Sequence, residues 1–168
     1  MDPYKVLGVF PYSTSSEIKE AYEKILNEYN IKDSDDDATK KLYLDKISEV
    51  NEAYRIINLN ITCQEVRDLI EKDDFIIAES KLNLACDNSS AEWNYLKGIL
   101  LIKKGWIDSG FSHIKKATTL NPYNQEYIDV LNKLNDNVKK YKNTNKSNMQ
   151  NNNSALCNNN KNNKGNLC

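Results

Sequence analysis

Glycine and proline are scarce, with five and three in 168 residues. Sandwiches, barrels and glycine-rich phosphate loops build their turns on those residues, so the shortage favours helices joined by short connections. There is a single histidine, His113, and the four cysteines (Cys63, Cys86, Cys157, Cys168) form no C-x-x-C pair. A zinc site needs more nitrogen and sulfur donors at closer spacing, and in a reducing cytosol these cysteines stay thiols. No apolar run approaches the roughly 18 residues of a membrane-spanning helix. The opening MDPYKVLGV has no apolar core of signal-peptide length, so the expected location is cytoplasmic, with no membrane partner. No nucleophile–base set, metal quartet or phosphate loop emerges. The enzyme class is therefore disfavoured, and no catalytic residue, metal or cofactor is expected.

Charge is balanced overall but unevenly placed. Residues 1–57 carry 8 basic and 12 acidic groups, residues 58–138 carry 9 and 12, and residues 139–168 carry 6 and none. These sum to the net charge of −1, a mildly acidic body with a basic end.

The first 57 residues read as three helices. Asp2-Pro3 opens a short one that Gly8 stops. Thr14 and Glu17 form a capping box ahead of Ile18, Ala21, Tyr22, Ile25, Leu26 and Tyr29, an apolar stripe at helical spacing. Tyr43, Ile47, Val50, Tyr54 and Ile57 repeat the stripe after an acidic loop. Two such helices pack antiparallel with the short one laid against them. The loop KDSDDD lacks the sixth-position glycine and twelfth-position glutamate of a calcium loop, and its acids suit the positive end of the following helix.

The segments DPYKVLGV, EIKEAYEKILNEY and ISEVNEAYRII, in that order, resemble the J-domain of the DnaJ co-chaperones. The resemblance implies a helical hairpin that binds a DnaK-type chaperone and stimulates its ATP hydrolysis. The family's His-Pro-Asp triplet follows the tyrosine that ends the second helix. Here Asn30, Ile31 and Lys32 stand at those positions, which makes them the degenerate partner-binding positions. The family's second helix has a basic face, whereas this one carries Glu17, Glu20, Glu23 and Glu28 against Lys19 and Lys24. The charge complementarity that would steer an acidic partner is lost.

Residues 61–138 match themselves at an offset of 32: Leu69 with Leu101, Phe75 with Ile107, Ala78 with Gly110, Leu82 with Ile114 and Ala85 with Ala117. Thr62-x-x-Glu65 and Ser89-x-x-Glu92 read as capping boxes. Helices are expected at about 62–72, 74–86, 91–103, 107–119 and 124–137. Gly98, Gly105, Gly110, Ala117 and Pro122 make the second copy resemble a tetratricopeptide repeat, with Asp73 replacing the turn glycine in the first. In that family small residues let paired helices approach closely. The carboxylate-clamp positions of that family hold Cys63, Arg67, Tyr95 and Ile99, so that clamp is missing. Trp93, Trp106 and Phe111 are expected in or near the core, and His113 off the packed face in solvent. The last helix, with Tyr127, Ile128, Leu131 and Leu134, is expected to cap the repeats.

Residues 139–168 are asparagine- and lysine-rich, too polar to bury a core, and are read as a disordered tail. The expected fold is all-α: a J-domain-like helical hairpin over 1–58, two tetratricopeptide-like repeats plus a capping helix over 61–138, then the tail. The expected function is a non-enzymatic co-chaperone-like adaptor or scaffold for a protein or peptide partner. The alternatives are a working J-protein that stimulates a DnaK-type chaperone through a non-standard loop, and weak nucleic-acid binding through the basic tail. The last is disfavoured because the tail has no arginine and few aromatic residues for stacking.

Overall fold

The J-like hairpin and the repeats are expected to part at residues 58–61, but "INLNITC" contains neither glycine nor proline to stop a helix there. In the computed structural model, which describes residues 2–29 and 36–140, one helix runs straight through it. The helices are α1 (Pro3–Leu7), α2 (Ser15–Glu28), α3 (Asp37–Glu71), α4 (Phe75–Leu84), α5 (Ala91–Lys103), α6 (Ile107–Leu120) and α7 over residues 125–140. No strand occurs among the described residues, so the all-α expectation holds. The chain divides into two compact units, Met1–Cys86 and Asp87–Cys168. The division falls between the two copies of the repeat rather than ahead of both.

The first unit starts as its sequence dictates. The Asp2 carboxylate accepts from the Tyr4 N–H at 3.1 Å, and Gly8 ends α1 at φ 64°. Thr14 and Glu17 close the capping box in both directions: the Thr14 N–H donates to Glu17 Oε2 at 2.7 Å, and the Glu17 N–H donates to Thr14 Oγ1 at 3.3 Å. Leu7, Ile18, Val50, Ala53 and Ile57 form the core of this three-helix layer, with Tyr4, Tyr22, Ile25, Leu26 and Tyr54 packed around it. Tyr22 stacks on Tyr54 at 4.1 Å between centroids, and its hydroxyl donates to Asn51 at 2.8 Å.

The 35-residue α3 changes its buried face part-way. Val50, Ala53 and Ile57 are buried in its first half and Leu59, Cys63 and Val66 in its second. At about 100° per residue the two sets lie roughly 150° apart around the axis. The helix thus presents one side to α1 and α2, then nearly the opposite side further along, where α4 folds back on it. Lys81 on α4 reaches Glu65 on α3 at 2.6 Å, an exposed pair across the two helices. The cap expected at Thr62 is a correction: Thr62 lies inside α3, whose cap is Asp36, accepting from the Thr39 N–H at 2.9 Å. That aspartate belongs to the acidic loop, and those hydrogen bonds hold its carboxyl below the ordinary carboxylate range.

The offset of 32 recurs in the backbone. Around the α3–α4 turn, Lys72 N donates to Asp68 O, Asp73 N to Ile70 O and Asp74 N to Leu69 O. Around the α5–α6 turn, Lys104 N donates to Leu100 O, Gly105 N to Ile102 O and Trp106 N to Leu101 O. Each bond in the second set lies 32 residues after its counterpart. The turn needs a left-handed residue, supplied by Gly105 at φ 87° and by Asp73 at φ 58°; aspartate tolerates that region better than most side chains. Ala78 and Leu82 are buried in the first copy, as are Gly110 and Ile114 in the second.

The cap expected at Ser89 shifts by one. Ser90 accepts from the Trp93 N–H at 3.2 Å, while Ser89 bonds back to Asp87. In the second unit α7 extends through residue 140, past the expected tail boundary at 138/139. The disordered-tail expectation otherwise concerns residues 141–168, which lie outside the described residues.

Candidate partner-binding surfaces

Asn30, Ile31 and Lys32, expected from the sequence as degenerate partner-binding positions, also lie outside the described residues. Their flanks are defined. Tyr29 ends α2, its N–H bonded to Ile25 O at 3.2 Å, and its ring meets Tyr43 of α3 edge-on at 5.5 Å. A contact between these two aromatic rings therefore closes the hairpin beside the loop. The face of α2 turned to solvent carries Glu17, Lys19, Glu20, Glu23, Lys24 and Glu28. Lys19 pairs with Glu23 at 3.6 Å, an exposed pair that partly neutralises the face. What remains is acidic, as the sequence indicates.

In the second unit the α5–α6 pair is set by two glycines. A Cβ on Gly98 would lie 2.7 Å from Ile114 Cδ1 and 2.9 Å from the Gly110 carbonyl. A Cβ on Gly110 would lie 2.6 Å from Ile102 Cγ1 and 2.8 Å from the Gly98 carbonyl. The helices touch backbone to backbone at this crossing. The close approach expected of these small residues is what the structure has.

Beside the crossing, Asn94 is fully buried and fully bonded. Its amide donates to Asn88 O at 2.9 Å and to Ser90 O at 2.7 Å, and its carbonyl oxygen faces His113 Nδ1 at 3.1 Å. The expectation of a solvated His113 is thus corrected: the imidazole is half-buried, bonded to Asn94 and edge-on to Trp93 at 5.9 Å. Burial, followed by the charges of Lys97 and Lys116, holds it below the ordinary imidazole value. The arrangement joins α5 to α6, with the ring nitrogen satisfied by an amide.

The last helix docks through a crossed pair of hydrogen bonds. Tyr95 of α5 donates to Glu126 at 2.8 Å, Tyr127 of α7 donates to Glu92, and the two rings stack at 4.6 Å. Tyr127 is buried, as expected of a capping helix. Tyr95 itself is buried and is a packing residue.

The aromatic expectation splits. Trp93 is buried and Phe111 half-buried, but Trp106 is 59% exposed, with the Lys104 ammonium 5.0 Å from its ring centroid. In the same unit, Ile102, Ile107, Asp108, Phe111, Leu134 and Val138, with Asn135 and Asn137, line a cleft of about 460 Å³. Phe111, expected in packing, and Leu134, expected in the capping helix, share this cleft.

In the first unit, Asn51, Tyr54, Asn58, Leu59, Thr62 and Cys86 line a cleft of about 360 Å³. Cys86 is an exposed thiol and Cys63 a buried one. No cluster of potential metal ligands occurs among the described residues, and no helix there is long and apolar enough to cross a membrane. The chain matches no protein-family model, no curated protein and no solved structure.

Proposed function

We propose that the chain is a non-enzymatic, co-chaperone-like adaptor: a J-domain-like hairpin followed by a short tetratricopeptide-like array, holding a protein or peptide partner without stimulating ATP hydrolysis. The observation that carries it is the triplet Asn30-Ile31-Lys32 directly after Tyr29, where the J-domain pattern has His-Pro-Asp. Supporting the scaffold half are the short α1, α2 and the first half of α3 packed around Leu7, Ile18 and Ile57. Supporting the array half are two turns built bond for bond at an offset of 32, and the glycine-to-glycine crossing of α5 and α6. The acidic face of α2 adds that a partner reached by electrostatic steering is not itself acidic there.

The test is single-turnover ATP hydrolysis by a DnaK-type chaperone with the full chain added. A second sample carries Asn30→His, Ile31→Pro and Lys32→Asp together. The natural chain is expected to leave the rate unchanged. Acceleration by the natural chain sinks the adaptor reading in favour of a working co-chaperone with a non-standard loop. Acceleration by the triple variant alone identifies a J-type scaffold that has lost its trigger. If neither accelerates, the acidic α2 closes the contact as well.

A further inference from the structure

The two copies of the repeat differ on their outward faces. In α4 the solvent side carries Ile76, Ile77, Ser80, Asn83 and Leu84, all exposed. At about 100° per residue these five span an arc of about 120°, with Ser80 at its centre and the buried Ala78 and Leu82 on the opposite side. Ile76 and Leu84 are each 86% exposed and Ile77 47%. The residues 32 positions later, on α6, are Asp108, Ser109, Ser112, Lys115 and Lys116, exposed as well. Packing within the repeat therefore asks for nothing apolar at these positions, and the second copy fills them with polar and charged side chains. In the first copy three of the five are large and apolar. A helix that is apolar on both sides is ordinarily covered on both. Single apolar side chains are common on a surface, but three on one face of a ten-residue helix form a patch.

We propose that this face of α4 is the two-fold contact of a homodimer, packed antiparallel on the same face of a second copy. A two-fold interface needs a patch that is complementary to itself. The face has that property about Ser80. Reversing the helix there sets Ile76 against Leu84 of the other copy, and Ile77 against its Asn83, at both ends of the contact. The residue on the axis is small, which lets the two helices approach closely, and the pairing opposes no like charges along the helix. A partner selected by charge has nothing to read here, since none of the five residues is ionisable. The inference goes beyond the adaptor reading and does not depend on it.

The test is sedimentation equilibrium of the full chain from low to high micromolar concentration, over which it is expected to pass from monomer to dimer. Ile76→Asp with Leu84→Lys installs what the second copy carries at the equivalent positions, Asp108 and Lys116. Aspartate suits the first turn of a helix and lysine the last, so this variant keeps α4 folded. Its circular dichroism and its melt at low concentration should match the natural chain, while its dimerisation should be at least about tenfold weaker. The register is read by cross-linking in a Cys86→Ser, Cys157→Ser, Cys168→Ser background. Ser80→Cys brings two thiols together across the axis and should give a disulfide-linked dimer when an oxidant is added. Ser112→Cys, its counterpart on α6, should not. A chain that is monomeric throughout, a dimer indifferent to the double variant, or equal cross-linking from Ser80→Cys and Ser112→Cys overturns the proposal. So does a dimer that is lost only when residues 141–168 are removed. The chaperone assay reads the Asn30–Lys32 loop and the mass measurement reads this face, so the two failures are distinguishable.

Discussion

Replacing Gly98 by alanine pits two effects of known size against each other. In an exposed helix interior the change stabilises by about 1 kcal/mol, because alanine loses less backbone freedom on folding. At the α5–α6 crossing the added carbon would sit 2.7 and 2.8 Å from Ile114 side-chain atoms and 2.9 Å from the Gly110 carbonyl oxygen. Ile114 is fully buried and Gly110 O belongs to the facing helix, so the overlap is relieved only by separating the helices. Overpacking of this kind costs about 1–3 kcal/mol. The net expectation is a loss of about 1 kcal/mol, or roughly 4–8 °C in midpoint for a domain of this size. Gly110→Ala should lose more, since its Cβ meets two backbone atoms of α5, Gly98 O at 2.8 Å and Ile102 N at 3.1 Å, as well as the Ile102 side chain. Tryptophan fluorescence during urea or thermal unfolding is the assay. Trp93 and Trp106 are the only two tryptophans and both lie in the second unit, so the signal reports that unit alone. Adding Ile114→Val to Gly98→Ala should recover part of the loss by removing the nearest carbon. A higher midpoint for Gly98→Ala would refute the reasoning: helix propensity would then outweigh the contact, and the crossing would not be backbone-tight.

Two further outcomes are expected from the caps and the histidine. Thr14→Ala removes one side of the capping box and should destabilise α2 by roughly 0.5–2 kcal/mol; faster amide exchange at Glu17 and Ile18 would show it, and unchanged exchange would count against it. His113 has a folded pKa below its unfolded one, so the unfolded chain takes up the proton first. Its stabilising contribution is complete above about pH 6.5 and is lost as the pH falls through the folded value. The fluorescence-detected midpoint should fall on acidification below pH 6.5, less so in His113→Gln. As the only histidine, its ring signal in an NMR titration checks the direction, and a value at or above 6.5 would contradict it.

The sequence carries much of this fold, and the reasons differ by element. Helix starts marked by a short polar acceptor are legible because the signal is local: Thr14 bonds as read, and α1 opens at Asp2-Pro3, with the Asp2 carboxylate as an added cap. Ser89 and Ser90 are not distinguishable that way, since either hydroxyl fits and only the turn from Asp87 decides. The continuity of α3 is not legible, because each apolar stripe has the length and spacing of a separate helix. The shift of buried face between Ile57 and Leu59 breaks the periodicity without breaking the backbone. Gly98 and Gly110 are legible as a close approach only through their resemblance to the small-residue spacing of tetratricopeptide repeats. The cleft was not, because Ile102, Phe111 and Leu134 come from three helices and each alone reads as ordinary packing.

The uninterrupted α3 also fixes which lengths the gene can tolerate. Inserting one residue near Asn60 would turn Leu59 against Cys63 and Val66 by about 100° about the helix axis. The side serving α1 and α2 would stay in place, and the buried side further along would rotate into water. Seven added residues restore the phase to within about 20°. Length variation within α3 should therefore come in heptad-sized steps, whereas the turn at Asp73, where the backbone already reverses, is free of that arithmetic.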